Sequence, residues 1–186
     1  MKRIRPFINT ELIKVFTGIR RSGKSVMLEL VKNELKKSGV SDKNFLCINF
    51  EQFSNSELLD AKILHKRIVE FQKSADGKIY LFFDEIQEVD GWEKCINSCR
   101  VDFDCDIYIT GSNAKLLSGE LATYLADRYV EFVIYPFSFA EFLEMNRQKN
   151  SQIDKSACFT AFLKTGGMPF LANFFGDDSA KNQYLM

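Results

Sequence analysis

Apolar and polar positions along the chain fall into two alternating patterns. Short, almost unbroken apolar runs occur at 12–17, 44–50, 78–85, 106–110 and 129–135. Runs of that length, rich in Ile, Val, Leu and Phe, predict strands. No polar residue interrupts Phe45-Leu46-Cys47-Ile48, which marks a strand covered on both faces, as in a parallel sheet. Between the runs, apolar residues recur at helical spacing. Val26, Met27, Leu28, Leu30, Val31 and Leu35 fill one side of a helix over 24–38. Lys36 and Lys37 suit its negative end and Gly39 its C-cap. Ser54-Asn55-Ser56-Glu57 has the spacing of a capping box and predicts a helix carrying Leu58, Leu59, Ile63, Leu64, Ile68 and Phe71. Asp90-Gly91-Trp92-Glu93 has the same spacing, with a helix to about 101 and Trp92 as a packing anchor. Ser138-Phe139-Ala140-Glu141 opens a helix to about 148, and a polar stretch over 149–155 leads to a last helix ending near Thr165. Strands that alternate with helices predict an α/β fold with a parallel sheet.

Chemistry enters where the first strand meets the first helix. Gly18-Ile19-Arg20-Arg21-Ser22-Gly23-Lys24-Ser25 fits G-x-x-x-x-G-K-[ST], the phosphate-binding loop of P-loop NTPases. Its glycines allow positive φ, and its successive N–H groups can surround a phosphate. Lys24 can place a charge on the β/γ-phosphates. Ser25 opens the helix, so its hydroxyl can bind Mg²⁺ while the helix N-terminus favours the anion. The alternative, an ordinary glycine-rich turn, does not need a strand before it and a helix after it. Candidate nucleotide contacts are Gly18, Ile19, Arg20, Arg21, Ser22, Gly23, Lys24, Ser25 and Val26.

The third run ends in Phe82-Phe83-Asp84-Glu85. An apolar strand closed by two acids is the Walker B pattern. Asp84 is placed to hold Mg²⁺, through water, and Glu85 to orient and deprotonate an attacking water. Past the fourth run come Gly111-Ser112-Asn113. Asn113 or Ser112 suits a γ-phosphate sensor, the sensor 1 position, or else a helix cap. Arg128, before the fifth run, is placed to stabilise transferring phosphoryl charge in cis or from a neighbouring subunit, or is a plain strand-edge residue. Glu51, past the second run, stands at the edge where such sheets bind ligands. Arg5-Pro6-Phe7-Ile8 either lies beside a nucleotide base or is surface.

Length and charge narrow the classes. The 186 residues suit one domain with a C-terminal appendage, and 46% are apolar. Lys+Arg and Asp+Glu both number 25, so no global basic field points to nucleic acid. No apolar run approaches the ~20 residues of a membrane span, and the start lacks an apolar signal region, so the expected location is cytoplasmic. Five cysteines match no zinc spacing and are expected as small buried thiols rather than metal or redox groups. The single histidine, His65, sits in a helical stretch without a nucleophile elbow, which argues against a hydrolase triad. A small-molecule kinase needs an arginine-bearing lid, yet Arg is sparse over 40–127. A GTPase needs Asn-Lys-x-Asp, and Asn113-Ala114-Lys115-Leu116 is not that motif.

The loop Gly18–Ser25, with Phe82-Phe83-Asp84-Glu85-Ile86-Gln87, Ile109-Thr110-Gly111-Ser112-Asn113-Ala114 and Tyr135-Pro136-Phe137-Ser138-Phe139-Ala140-Glu141-Phe142, resembles the AAA+-type predicted ATPases of bacteria and archaea, which carry an N-terminal AAA domain and a C-terminal domain of unknown function. The resemblance covers about 3–170. It implies a three-layer α/β/α P-loop NTPase with a five-stranded parallel sheet in the order 5-1-4-3-2, plus C-terminal helices. It implies ATP and Mg²⁺ as cofactors. Lys24 and Ser25 match the Walker A pair, Asp84 and Glu85 the Walker B pair, Asn113 sensor 1, and Arg128 a family arginine, although Asp127 stands where that family usually has Gly. The expected division is an ATPase core over 1–136 and a helical segment over 137–186. Phe170, Leu171, Phe174 and Phe175 suit a chain that continues into a further domain. The function expected is Mg²⁺-dependent ATP hydrolysis driving a conformational change. The alternatives are a nucleotide-binding switch that needs a missing domain or subunit, and a nucleic-acid-binding module with an inert P-loop. Expected partners are the nucleotide, a second copy or a C-terminal domain, with no membrane.

Overall fold

The computed structural model describes residues 1–111, 125 and 127–174. The chain divides into two compact units, Met1–Gly18 with Lys24–Val133, and Ile19–Gly23 with Ile134–Met186. In the larger unit the apolar runs form strands β1 (Ile13–Thr17), β2 (Phe45–Asn49), β3 (Ile79–Asp84), β4 (Cys105–Thr110) and β5 (Tyr129–Val133). The helices between them are α1 (Lys24–Lys37), α2 (Ala61–Ser74) and α3 (Trp92–Asp102). All strand pairs are parallel, in the order β2-β3-β4-β1-β5. This is the expected order 5-1-4-3-2 read from the other edge.

Strand alternation gives the sheet two chemically different faces. One is aliphatic. Val15, Ile48, Leu81 and Ile109 join Leu64 and Ile68 of α2 and Trp92 and Ile96 of α3 in the main core. The other face carries Lys14, Phe16, Tyr80, Phe82, Asp106 and Tyr108, all buried. Helix α1 packs against β1, β3 and β4 through Leu28, Val31 and Leu35. Three layers result.

The second face also buries an ion pair. Lys14 Nζ donates to Asp106 and to the carbonyl of Thr10, the latter at 2.9 Å. The other Asp106 oxygen accepts from the Asn9 N–H at 2.7 Å and from the Tyr108 hydroxyl at 2.8 Å. Burial pulls the Lys14 pKa down against the opposing pull of Asp106, and it raises the Tyr108 hydroxyl. With every charge-bearing atom answered, burial of the pair is tolerated. The network ties the N-terminal segment to the sheet. Phe7 meets Phe132 edge-on at 5.6 Å, and Arg5 pairs with Glu34 of α1.

Four expectations need correction. Val26 and Leu30 do not fill the buried side of α1, being 61% and 44% exposed. The Ser54–Glu57 capping box does not start an α-helix. Residues Phe53–Leu59 form a 3-10 helix and Asp60 caps α2, accepting from Lys62 N at 2.8 Å and Ile63 N at 3.1 Å. The cause is a parallel bridge between Asp60 and Asp90. Asp90 N donates to the Leu59 carbonyl at 2.8 Å and Ala61 N to the Asp90 carbonyl at 3.2 Å, so the chain is extended at Asp60 and no helix can run through it. For the same reason Asp90 does not cap α3. Gly91 does, at φ 71°. Finally, Cys47 is exposed on the edge strand β2, whereas Cys95, Cys99 and Cys158 are buried as expected. Burial pushes the partly covered Cys105 thiol up to about 12.

In the smaller unit, α4 (Phe139–Lys149) and α5 (Lys155–Thr165) pack through Phe142, Leu143 and Cys158. The Ser138–Glu141 capping box is present. Asp154 caps α5 by accepting from Ala157 N at 2.8 Å. Phe137 N donates to the Gly167 carbonyl at 2.7 Å. The two segments approach so closely there that a Cβ on Gly167 would lie 1.9 Å from the Phe137 carbonyl oxygen.

Candidate functional site

The site forms at the carboxyl ends of the strands, where parallel sheets leave a crevice. β1 ends at Thr17 and the chain turns at Gly18 (φ 143°), Arg21 (φ 66°) and Gly23 (φ 104°). Ser22 N donates to the Ile19 carbonyl at 3.2 Å. Lys24 then begins α1, buried to 5% exposure. Its Nζ lies 3.4 Å from the Gly18 carbonyl oxygen and 3.5 Å from Glu85 Oε1.

The register of the sheet sets Asn49 opposite Asp84. Asn49 Nδ2 donates to Asp84 Oδ2 at 3.1 Å. Thr110, fully buried at the end of β4, donates from its hydroxyl to Asp84 Oδ1 at 2.5 Å. The same hydroxyl oxygen accepts the Glu85 N–H at 2.9 Å. Glu85 stands at φ 56°, ψ 50°, in the left-handed region. A non-glycine residue held there stores strain, typically about 1–3 kcal/mol, and such strain collects at functional sites. Gln87 Nε2 donates to Glu85 Oε2 at 2.7 Å. Both acids are therefore pinned by neutral donors.

Beside them opens a cleft of about 320 Å³ lined by Ser25, Glu29, Lys32, Asn49, Gln52 and Asp84. Ser25 and Asp84 offer it a hydroxyl and a carboxylate. Two hard oxygen donors with room for water suit Mg²⁺, which keeps several waters and takes few protein ligands.

Not every candidate joins this group. Ser112 and Asn113 lie outside the described residues. Arg128 is at the opposite, amino-terminal edge of the sheet. Its carbonyl accepts from Ile13 N at 2.9 Å, and its guanidinium donates to Asn97 of α3 at 3.0 Å. Glu51 has passed the site and is exposed, with its N–H on Asn49 Oδ1 at 2.8 Å. Ile19, Arg20 and Arg21 are exposed, and the Val26 side chain faces outward.

The family model for the AAA domain matches residues 10–143. The chain belongs to the AAA family. It is 44% identical over 169 residues to an uncharacterized protein of Haemophilus influenzae, covering 91% of this chain and 42% of that one. It is 35% identical over 182 residues to an uncharacterized protein of Methanocaldococcus jannaschii, covering 93% and 39%. It therefore spans about two fifths of these curated relatives. Among solved structures, the Thermotoga maritima RuvB Holliday junction branch migration motor superposes with a TM-score of 0.58 at 17% identity, over 86% of this chain and 51% of that one. PCH-2 of C. elegans gives 0.54 at 16%, over 79% and 41%. At such identities the likeness is one of fold.

In this AAA domain Asn49, Gln87 and Thr110 join the site without a role assigned from the sequence, although Gln87 and Thr110 lie inside the motifs that carry the family resemblance. Asn49 and Thr110 each close a strand, and each faces Asp84. The signal was available only jointly, because a polar residue ending an apolar run means little until the strand order puts it beside the acid. No helix among the described residues is long and apolar enough to cross a membrane.

Proposed function

We propose that this AAA domain binds ATP with Mg²⁺ and hydrolyses it to ADP and phosphate, using the step to drive a conformational change. The observation that carries this reading is the meeting of Lys24, Asp84 and Glu85 at one end of the sheet, with Lys24 Nζ 3.5 Å from Glu85 Oε1. The loop N–H groups and Lys24 bind the triphosphate. On binding, the ammonium of Lys24 exchanges its carboxylate partner for phosphate oxygens, which leaves Glu85 Oε1 for a water. Glu85 takes the proton as the water oxygen bonds to the γ-phosphorus and the bond to the β-phosphate oxygen breaks. The proton then passes to solvent. Ser25 and Asp84 would hold Mg²⁺, Asp84 through water, and the ion supplies neutralisation of phosphate charge. Thr110 and Asn49 hold the Asp84 carboxylate in place for that task.

One observation favours a second reading, a nucleotide-binding switch that hydrolyses little alone. Arg128 stands at the edge of the sheet remote from Lys24, so its guanidinium does not serve its own site. An arginine for the transition state would come from a second copy of the chain or from a further domain, and such a residue raises turnover about 10³-fold or more.

Mg-ATP binding and phosphate release decide between the readings. Hydrolysis by this chain requires that Lys24→Ala lose binding and that Glu85→Gln keep binding while losing turnover by roughly 10²–10⁴-fold. Binding without turnover in the parent selects the switch. Absence of binding in a folded parent overturns both.

A further inference from the structure

Glu85 is gripped at both of its ends. Its N–H is taken by Thr110, and its carboxylate is divided between two partners. Oε2 accepts from Gln87 Nε2 at 2.7 Å, and Oε1 lies 3.5 Å from Lys24 Nζ. Gln87 belongs to the short 3-10 turn Ile86–Glu88 that follows the strained Glu85. Ile86, fully buried, anchors that turn in the main core.

The far end of the Gln87 amide is more informative. Its Oε1 is buried and has no donor among the described residues. Buried acceptors are paired in the great majority of cases, and each exception calls for an explanation. Turning the amide over would not help. Nε2 faces the carboxylates of Glu85 and, at 3.4 Å, Glu88. Ionised carboxylates accept only, so an oxygen there would meet two acceptors. The amide is thus held in one sense by Glu85 and Glu88, with its oxygen left unsatisfied.

We infer that Gln87 is the positioning residue of the base: its amide holds Glu85 Oε2 and directs Oε1 toward Lys24. The inference rests on the reading of Glu85 as the base. It explains the orphaned oxygen as the cost of an oriented carboxylate. It also separates two tasks within one side chain. The oxygen facing Lys24 changes partner when phosphate arrives, whereas the oxygen on Gln87 does not, so the carboxylate cannot follow the departing ammonium.

The test uses the full chain with Gln87→Met, which keeps length without a donor, and Gln87→Glu, which sets a second carboxylate against Glu85. Loss of a hydrogen bond to a charged group predicts that Gln87→Met lowers single-turnover phosphate release about 10- to 100-fold. Mg-ATP affinity should stay within twofold, and Gln87→Glu should be slower still. Turnover within twofold of the parent, or affinity falling in step with turnover, overturns the inference. A separate readout does not need hydrolysis. The Gln87 side-chain amide signals of the ¹⁵N-labelled chain should move in Glu85→Ala, and the Glu85 carboxyl carbon should move in Gln87→Met. If neither moves, the contact is absent and the inference fails whatever the turnover. If the parent hydrolyses nothing, the reading of Glu85 as base falls, and the signals alone decide whether Gln87 orients that carboxylate.

Discussion

At the scale of single residues, one hydroxyl connects the two acids of the site. Thr110 donates to the Asp84 carboxylate and accepts the N–H of Glu85. Thr110→Val has nearly the same shape but leaves a buried carboxylate oxygen and a strained amide without partners. Each unmade bond costs roughly 1–3 kcal/mol. Thr110→Val should therefore lower phosphate release by at least tenfold, whereas Thr110→Ser, which restores the hydroxyl, should retain at least a third of parental turnover. Rates that are the same in the two variants would show that the hydroxyl is dispensable. The acids themselves stand out in the sequence as two carboxylates closing an apolar run. Thr110 does not, because a threonine ending a strand is ordinary until its neighbour is known.

At the scale of elements, the apolar runs located the five described strands to within about two residues, and β1 and β3, buried throughout, give the clearest apolar signature. Helix starts were less legible. Ser138 caps α4 as its spacing suggests, yet the same spacing at Ser54 yields a 3-10 helix. The difference is tertiary. The bridge between Asp60 and Asp90 pulls the chain straight at Asp60, and the carboxylate there then caps α2. Asp60→Ala should cost about 0.5–2 kcal/mol in urea unfolding. Ser54→Ala should be nearly silent, and an equal cost for both would restore Ser54 as the cap. The exposed Val26 and Leu30 teach a related lesson. Helical spacing counts apolar residues on α1 but does not say how wide a stripe the sheet covers, and only Leu28, Val31 and Leu35 are buried.

At the scale of the whole molecule, ligand binding should appear as stability. A ligand at 100 times its Kd, bound only by the folded chain, adds about 2.7 kcal/mol. For a chain of this size that corresponds to a rise of roughly 5–10 °C in Tm. Mg-ATP should raise Tm by that amount in the parent and not in Lys24→Ala, as followed by calorimetry. A rise that survives in Lys24→Ala would place the nucleotide elsewhere. The chain spans about two fifths of the curated relatives it matches.

The strands and the α/β class, and the P-loop and acid-pair patterns, are readable without coordinates. Each is written in local chemistry: an apolar run, two glycines at fixed spacing, carboxylates where burial ends. With the family resemblance the sequence also yielded the strand order. Only the tertiary structure decided which residues meet. Parallel neighbours lie far apart in the chain, so Asn49, Asp84 and Thr110 come together solely because β2, β3 and β4 are adjacent and in register. The same register carries Arg128 to the opposite edge, because a residue that precedes a parallel strand cannot share the end at which β1 delivers Lys24.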